Sequence, residues 1–134
     1  MPKKPLLIDP SLYDLNAPIA LLDDIRKYNR QRFEMEQLTA IVYDDQETMR
    51  CVGYKDMALD EFWARGHMPE FPLAPGVILV ECAAQLASYV CTKYNLFDNA
   101  VMGFAGLDEV KFRGMVRPGD RLVIQAAMLK CKKI

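Results

Sequence analysis

Residues 77–94 have helical spacing and are apolar around most of the helix circumference. A helix of that kind has no broad face to offer water, so it is buried, usually inside a sheet that wraps it. Val80, Ala84, Ala87 and Val90 are therefore expected to be nearly inaccessible. The polar residues Glu81, Gln85, Ser88 and Thr92 follow one another at intervals of 4, 3 and 4, which puts them in one narrow stripe.

The segment leading into this helix is equally restrictive. Residues 66–76 carry Pro69, Pro72 and Pro75 at every third position, with Gly66 and Gly76 at the ends. Each proline removes a backbone donor and restrains its predecessor, so the run is neither helical nor mid-sheet. It is a stiff loop that holds its side chains in place. Upstream, residues 1–15 have no clear period and are expected to form an extended arm. Asn16 and Pro18 mark a helix start, and Leu21, Leu22, Ile25 and Tyr28 supply one apolar face for a helix over residues 18–30.

Residues 33–43 are rich in β-branched and aromatic side chains and break at Asp44, Asp45 and Gln46. Residues 48–54 then read as the return strand of a hairpin. Residues 59–65 suit a single helical turn. Past the long helix, residues 95–99 form a loop and residues 101–105, 109–116 and 121–130 read as strands. The last two strands meet at a turn of Arg117, Pro118, Gly119 and Asp120. Helix, two strands, long buried helix and three strands describe an α+β domain with its helix against an antiparallel sheet.

Composition closes off other classes. The chain has 134 residues, 51% hydrophobic and 26% charged, which suits one soluble domain. A formal net charge of −1 speaks against a nucleic-acid binder, because phosphate contacts need a basic surplus. Cys51, Cys82, Cys91 and Cys131 form no CxxC and share the chain with a single histidine, so no metal site is expected and reduced thiols are. Residues 1–20 hold no signal-peptide pattern, and Glu81 interrupts the longest apolar segment, so no membrane span is expected and the cytoplasm is the expected location.

His67 is the only histidine. By itself it suits a surface or hydrogen-bonded role, just as Glu81 by itself suits a solvated one. Two details raise their significance. The polar stripe has no lysine or arginine before Lys93, and the helix starts directly after the rigid loop that bears His67. At the helix start, Gly76 and Val77 present free backbone N–H groups to which the helix dipole adds positive character, and a ligand carbonyl can approach Gly76 closely. A base, an acid and an oxyanion-binding helix end are the parts needed to eliminate water from a 3-hydroxyacyl thioester. Gln85, one turn after Glu81, lies where its amide can orient that carboxyl.

The run Gly66-His67-Met68-Pro69-Glu70-Phe71-Pro72-Leu73-Ala74-Pro75-Gly76-Val77, followed by Glu81-Cys82-Ala83-Ala84-Gln85, resembles the signature of the β-hydroxyacyl-(acyl-carrier-protein) dehydratases of fatty-acid synthesis. The segments 106–113 and 116–122 resemble the same family. The resemblance implies a hot-dog fold, a long central helix wrapped by an antiparallel sheet, in a homodimer with two shared active sites, each taking histidine from one protomer and glutamate from the other. Whether dimers assemble further stays open. The family's histidine maps to His67, its glutamate to Glu81 and its carbonyl-binding N–H to Gly76, with Val77 and Gln85 beside the substrate. The thioester is expected on the phosphopantetheine arm of acyl carrier protein, with no metal or dissociable cofactor.

The chain departs from the family at Met68, Glu70, Phe71 and Ala74, which bears on chain length and carrier choice. Relatives continue with further strands past the position of Ile134, so either the sequence is a fragment or its sheet is shortened. Lys111, Arg113, Arg117 and Arg121 are candidates for a basic patch facing the carrier. A hot-dog acyl thioesterase and a non-catalytic acyl-binding protein are the competing readings.

Overall fold

The computed structural model describes residues 5–98 and 103–130. Its elements are a short helix α1 (Leu22–Arg26), strands β1 (Ala40–Asp45) and β2 (Arg50–Asp56), the long helix α2 (Gly76–Lys93) and strand β3 (Arg121–Ala127). The strands form an antiparallel sheet in the order β1-β2-β3. α2 packs against β2 and β3, and Gly53 on β2 shows how closely. A Cβ at Gly53 would stand 3.1 Å from Leu86 Cδ1 and 3.0 Å from Ala40 O, so a larger residue would push helix and sheet apart.

The hairpin is built by its turn. Asp45, the last residue of β1, accepts from Glu47 N–H at 3.0 Å and Thr48 Oγ1 at 2.8 Å, and so fixes the turn that reverses the chain. A bulge between Ile41 and Tyr43 leaves Val42 outside the ladder. On one face of the sheet Ile41 and Cys51 meet Leu86, Tyr89 and Val90 of α2 together with Ile25 of α1. On the other, Ala40, Val42, Val52 and Tyr54 are covered by Ile8, Tyr13 and Leu15 from the N-terminal segment. Ile8 is almost fully buried, and its backbone is bracketed by Gln125 of β3, whose Oε1 accepts from Ile8 N–H at 3.0 Å while its Nε2 donates to Ile8 O at 2.7 Å.

Several elements differ from the sequence expectation. The helix expected over residues 18–30 is confined to α1, because the backbone before it is engaged elsewhere. Ile19 and Ala20 donate to Ile41 O, and Ile41 N–H donates back to Ala20 O at 2.9 Å. α1 begins where Asp24 Oδ2 accepts from Leu21 N–H. The strand expected from residue 33 starts at Ala40, since Phe33–Met35 forms a 3-10 turn whose first residue has φ 57°. Residues 59–65 fold into hydrogen-bonded turns rather than a helical turn proper, with Ala64 N–H donating to Glu61 O.

The strand expected at 109–116 is absent. These residues are largely exposed and form no ladder, and only Val116 O is tied in, by Ala74 N–H at 2.8 Å. Of the strand expected at 101–105, residues 101 and 102 lie outside the described residues and 103–105 form none.

The burial of α2 is also one-sided. Cys82, Gln85, Leu86, Tyr89, Val90 and Cys91 are buried, but Val80, Ala84 and Ala87 are only half-buried and Val77 is 74% exposed. The sheet covers one arc of the helix, chiefly through β2 and β3, and Val80, Ala84 and Ala87 remain only partly covered.

Candidate active site

The loop preceding α2 holds His67 by its backbone and its ring. Trp63, buried under the loop, accepts from His67 N–H at 2.8 Å and Gly66 N–H at 3.2 Å. Leu73 N–H donates to His67 O at 2.7 Å, and the ring Nδ1 sits 2.7 Å from Leu73 O. A carbonyl oxygen can only accept, so Nδ1 donates to it, and in the neutral ring Nε2 is the nitrogen left with the lone pair. Met68 and Phe71 exchange N–H···O bonds of 3.0 and 2.9 Å, which closes the loop upon itself. His67 itself is exposed.

Ala74 is buried beside Met57 and Trp63, and Pro75 then delivers the chain into α2. Pro75 O accepts from Ile78 and Leu79, whereas the N–H groups of Gly76 and Val77 take no bond among the described residues. These are the orphan donors of a helix start, aligned with the positive end of its dipole. The Phe112 ring covers this point: a Cβ on Gly76 would lie 2.9 Å from its Cζ. Phe112 was not legible as a site residue. Its only sequence signal was its place in the shared segment 106–113.

Glu81 lies five residues into α2, half-buried. Gln85 Nε2 donates to Glu81 Oε1 at 2.9 Å and to Met35 O at 2.6 Å, while Gln85 Oε1 accepts from Gln37 N–H at 3.0 Å. The expected Glu81–Gln85 contact is therefore present. The backbone anchors at Met35 and Gln37, some fifty residues away in sequence, had no sequence signal. His67 and Glu81 make no hydrogen bond or ion pair with each other within one chain. Among the described residues no cluster of His, Cys, Asp or Glu is arranged to hold a metal ion, and no helix is long and apolar enough to cross a membrane.

Of the four basic residues considered for a carrier surface, Arg121 is already engaged. It pairs with Asp56 through bonds of 2.6 and 3.1 Å and stacks on Tyr54. Arg117 lies 4.8 Å over the Phe71 ring. Lys111 and Arg113 are exposed.

A family model for FabA-like domains matches residues 29–134. Curated relatives include three proteins named 3-hydroxyacyl-(acyl-carrier-protein) dehydratase FabZ. The one from Caldanaerobacter subterraneus subsp. tengcongensis is 34% identical over 78% of this chain and 74% of its own length. That of Clostridium novyi is 37% identical over 62% and 58%, and that of Clostridium beijerinckii 32% identical over 83% and 79%. With the long helix against an antiparallel sheet, these matches establish that the chain belongs to the FabA-like family and has its hot-dog fold.

Proposed function

We propose that this protein is a lyase that removes water from 3-hydroxyacyl thioesters carried on acyl carrier protein, giving trans-2-enoyl thioesters for fatty-acid biosynthesis. The observation that carries the reading is the hydrogen-bonded histidine loop. Its ring is tied by Nδ1 to Leu73 O, and the same loop runs into a helix start whose first two N–H groups take no bond among the described residues.

In this reading His67 Nε2 takes a proton from C2 of the acyl chain. The negative charge that develops on the thioester oxygen is met by Gly76 N–H and the helix dipole, with Val77 beside it. Glu81 donates a proton to the C3 hydroxyl, the C3–O bond breaks, the C2=C3 bond forms and water leaves. Gln85 holds the Glu81 carboxyl in register. No metal or cofactor takes part.

The active unit is a homodimer with sites shared between protomers. Two features support this. His67 and Glu81 make no direct contact within one chain, and on α2 Val77 is exposed while Val80, Ala84 and Ala87 are only half-buried in a single chain. Lys111 and Arg113, exposed near the site loop, face the acidic carrier. Reversing both charges raises KM for the carrier-bound substrate and spares short pantetheine thioesters. The cytoplasm is the matching location.

The test is incubation of purified protein with 3-hydroxyacyl and enoyl thioesters on carrier protein and on coenzyme A. Reversible interconversion of the two acyl forms supports the proposal. Release of free thiol identifies a thioesterase, and binding without either reaction an acyl-binding protein. Each of those two outcomes refutes it.

A further inference from the structure

Between α1 and the segment that leads into β1 lies a small cavity of about 10 Å3, lined among others by Ile25, Asn29, Gln31, Arg32, Gln37 and Gln85. Three side-chain oxygens of its lining, Asn29 Oδ1, Gln31 Oε1 and Gln37 Oε1, are buried without a hydrogen-bond partner. Asn29 and Gln37 are 4% and 2% exposed. Their amides are not free to turn over. Asn29 Nδ2 donates to Gln85 O at 3.0 Å and Gln37 Nε2 donates to Glu34 O at 2.8 Å, so reversal would set oxygen against oxygen.

The nearby cations are already occupied. Arg26 is bound to Glu36 and Asp23, and Arg32 donates to the carbonyls of Arg26, Asn29 and Gln31. Buried acceptors need a donor. A space on the order of 10–15 Å3 holds one water molecule. A water donates two hydrogen bonds, which matches the two fixed acceptors. The half-buried Gln31 amide can turn to present its N–H to the water oxygen. The guanidinium groups in the wall oppose a metal cation in the same place.

The two residues with a fixed unmet acceptor both bind Gln85, which the Met35 carbonyl also holds. Asn29 holds its backbone carbonyl, and the Gln37 backbone N–H holds its side-chain oxygen. Gln85 therefore has one orientation, with Nε2 toward Glu81 Oε1. Oε1 is engaged as the acceptor of that N–H, which leaves Oε2 as the oxygen free to carry the transferable proton.

We propose that one ordered water fills this cavity and bridges Asn29 and Gln37, making them positioning residues that fix Glu81 through Gln85 and leave Oε2 as its proton-carrying oxygen. The proposal rests on the reading of Glu81 as the catalytic acid.

A high-resolution crystal structure of the full chain, grown with and without rubidium, tests the water. One water peak within hydrogen-bond distance of Asn29 Oδ1 and Gln37 Oε1 is expected. An empty cavity overturns the proposal, and so does an anomalous rubidium peak.

The positioning role is read from Gln37→Met, measured in the wild-type and Glu81→Gln backgrounds. In the wild-type background kcat falls on the order of ten-fold with KM little changed, and the added loss disappears in Glu81→Gln. An equal loss in both backgrounds overturns the positioning role. Full activity of Glu81→Gln alone removes the acid reading and the positioning role with it, whereas the water is decided by the density. The wild-type crystal decides the water even if Gln37→Met fails to fold.

Discussion

Leu73 binds His67 twice: its N–H donates to the His67 carbonyl and its own carbonyl accepts from the His67 ring, both at 2.7 Å. The second bond selects the tautomer. In the neutral ring held in this way, Nε2 carries the lone pair that a base needs. His67→Ala is expected to lower kcat by about 10²–10⁴-fold with the fold retained. Nitrogen NMR of the single histidine at neutral pH should show Nδ1 protonated and Nε2 bare. The opposite tautomer would contradict the assignment of the base.

Gly76→Ala tests the helix start. The added methyl would stand 2.9–3.2 Å from the Phe112 ring, which lies on an exposed side chain and can swing aside. Stability should change little, since alanine suits a first helical turn. The methyl instead stands where the thioester oxygen must approach the N–H, so activity should fall on the order of ten- to a hundred-fold. Unchanged kcat/KM would remove Gly76 from the oxyanion site.

The long helix and the site loop were legible because their signals are local. A mostly apolar circumference and a proline at every third position need no knowledge of distant residues. The parts that were misread depend on long-range partners. The segment 18–21 carries helix signals, yet Ile19 and Ala20 give their backbone bonds to Ile41. Residues 109–116 have strand composition but no neighbouring strand among the described residues to pair with. The proposed catalytic pair, His67 and Glu81, was named from its motif alone. The support behind it, from Asn29, Met35 and Gln37 to Gln85, spans 48 to 56 residues and left no pattern to read.

Cys82 ties the helix interior to pH. It is fully buried, and burial pushes its thiol from an ordinary value of 9.0 up to about 11. The folded state then holds its proton while the unfolded chain releases it. This contribution is fully present below pH 9 and is lost as the pH rises toward 11. Cys82→Ala should flatten the alkaline fall in Tm, at a cost in packing of about 1 kcal/mol at neutral pH. Alkylation of Cys82 should be slow at pH 8 until the protein is unfolded. Rapid native labelling would contradict the burial of this face of α2.

In the proposed dimer His67 of one protomer works with Glu81 of the other. Co-expression of His67→Ala and Glu81→Gln lets subunits pair at random. In every mixed dimer one site carries both lesions, and the other combines an intact His67 with an intact Glu81. Half the dimers are mixed and half their sites are restored, so activity should return to about a quarter of wild type for a two-fold symmetric interface. With mixed dimers verified by mass spectrometry, activity no higher than that of either mutant alone would contradict the shared site.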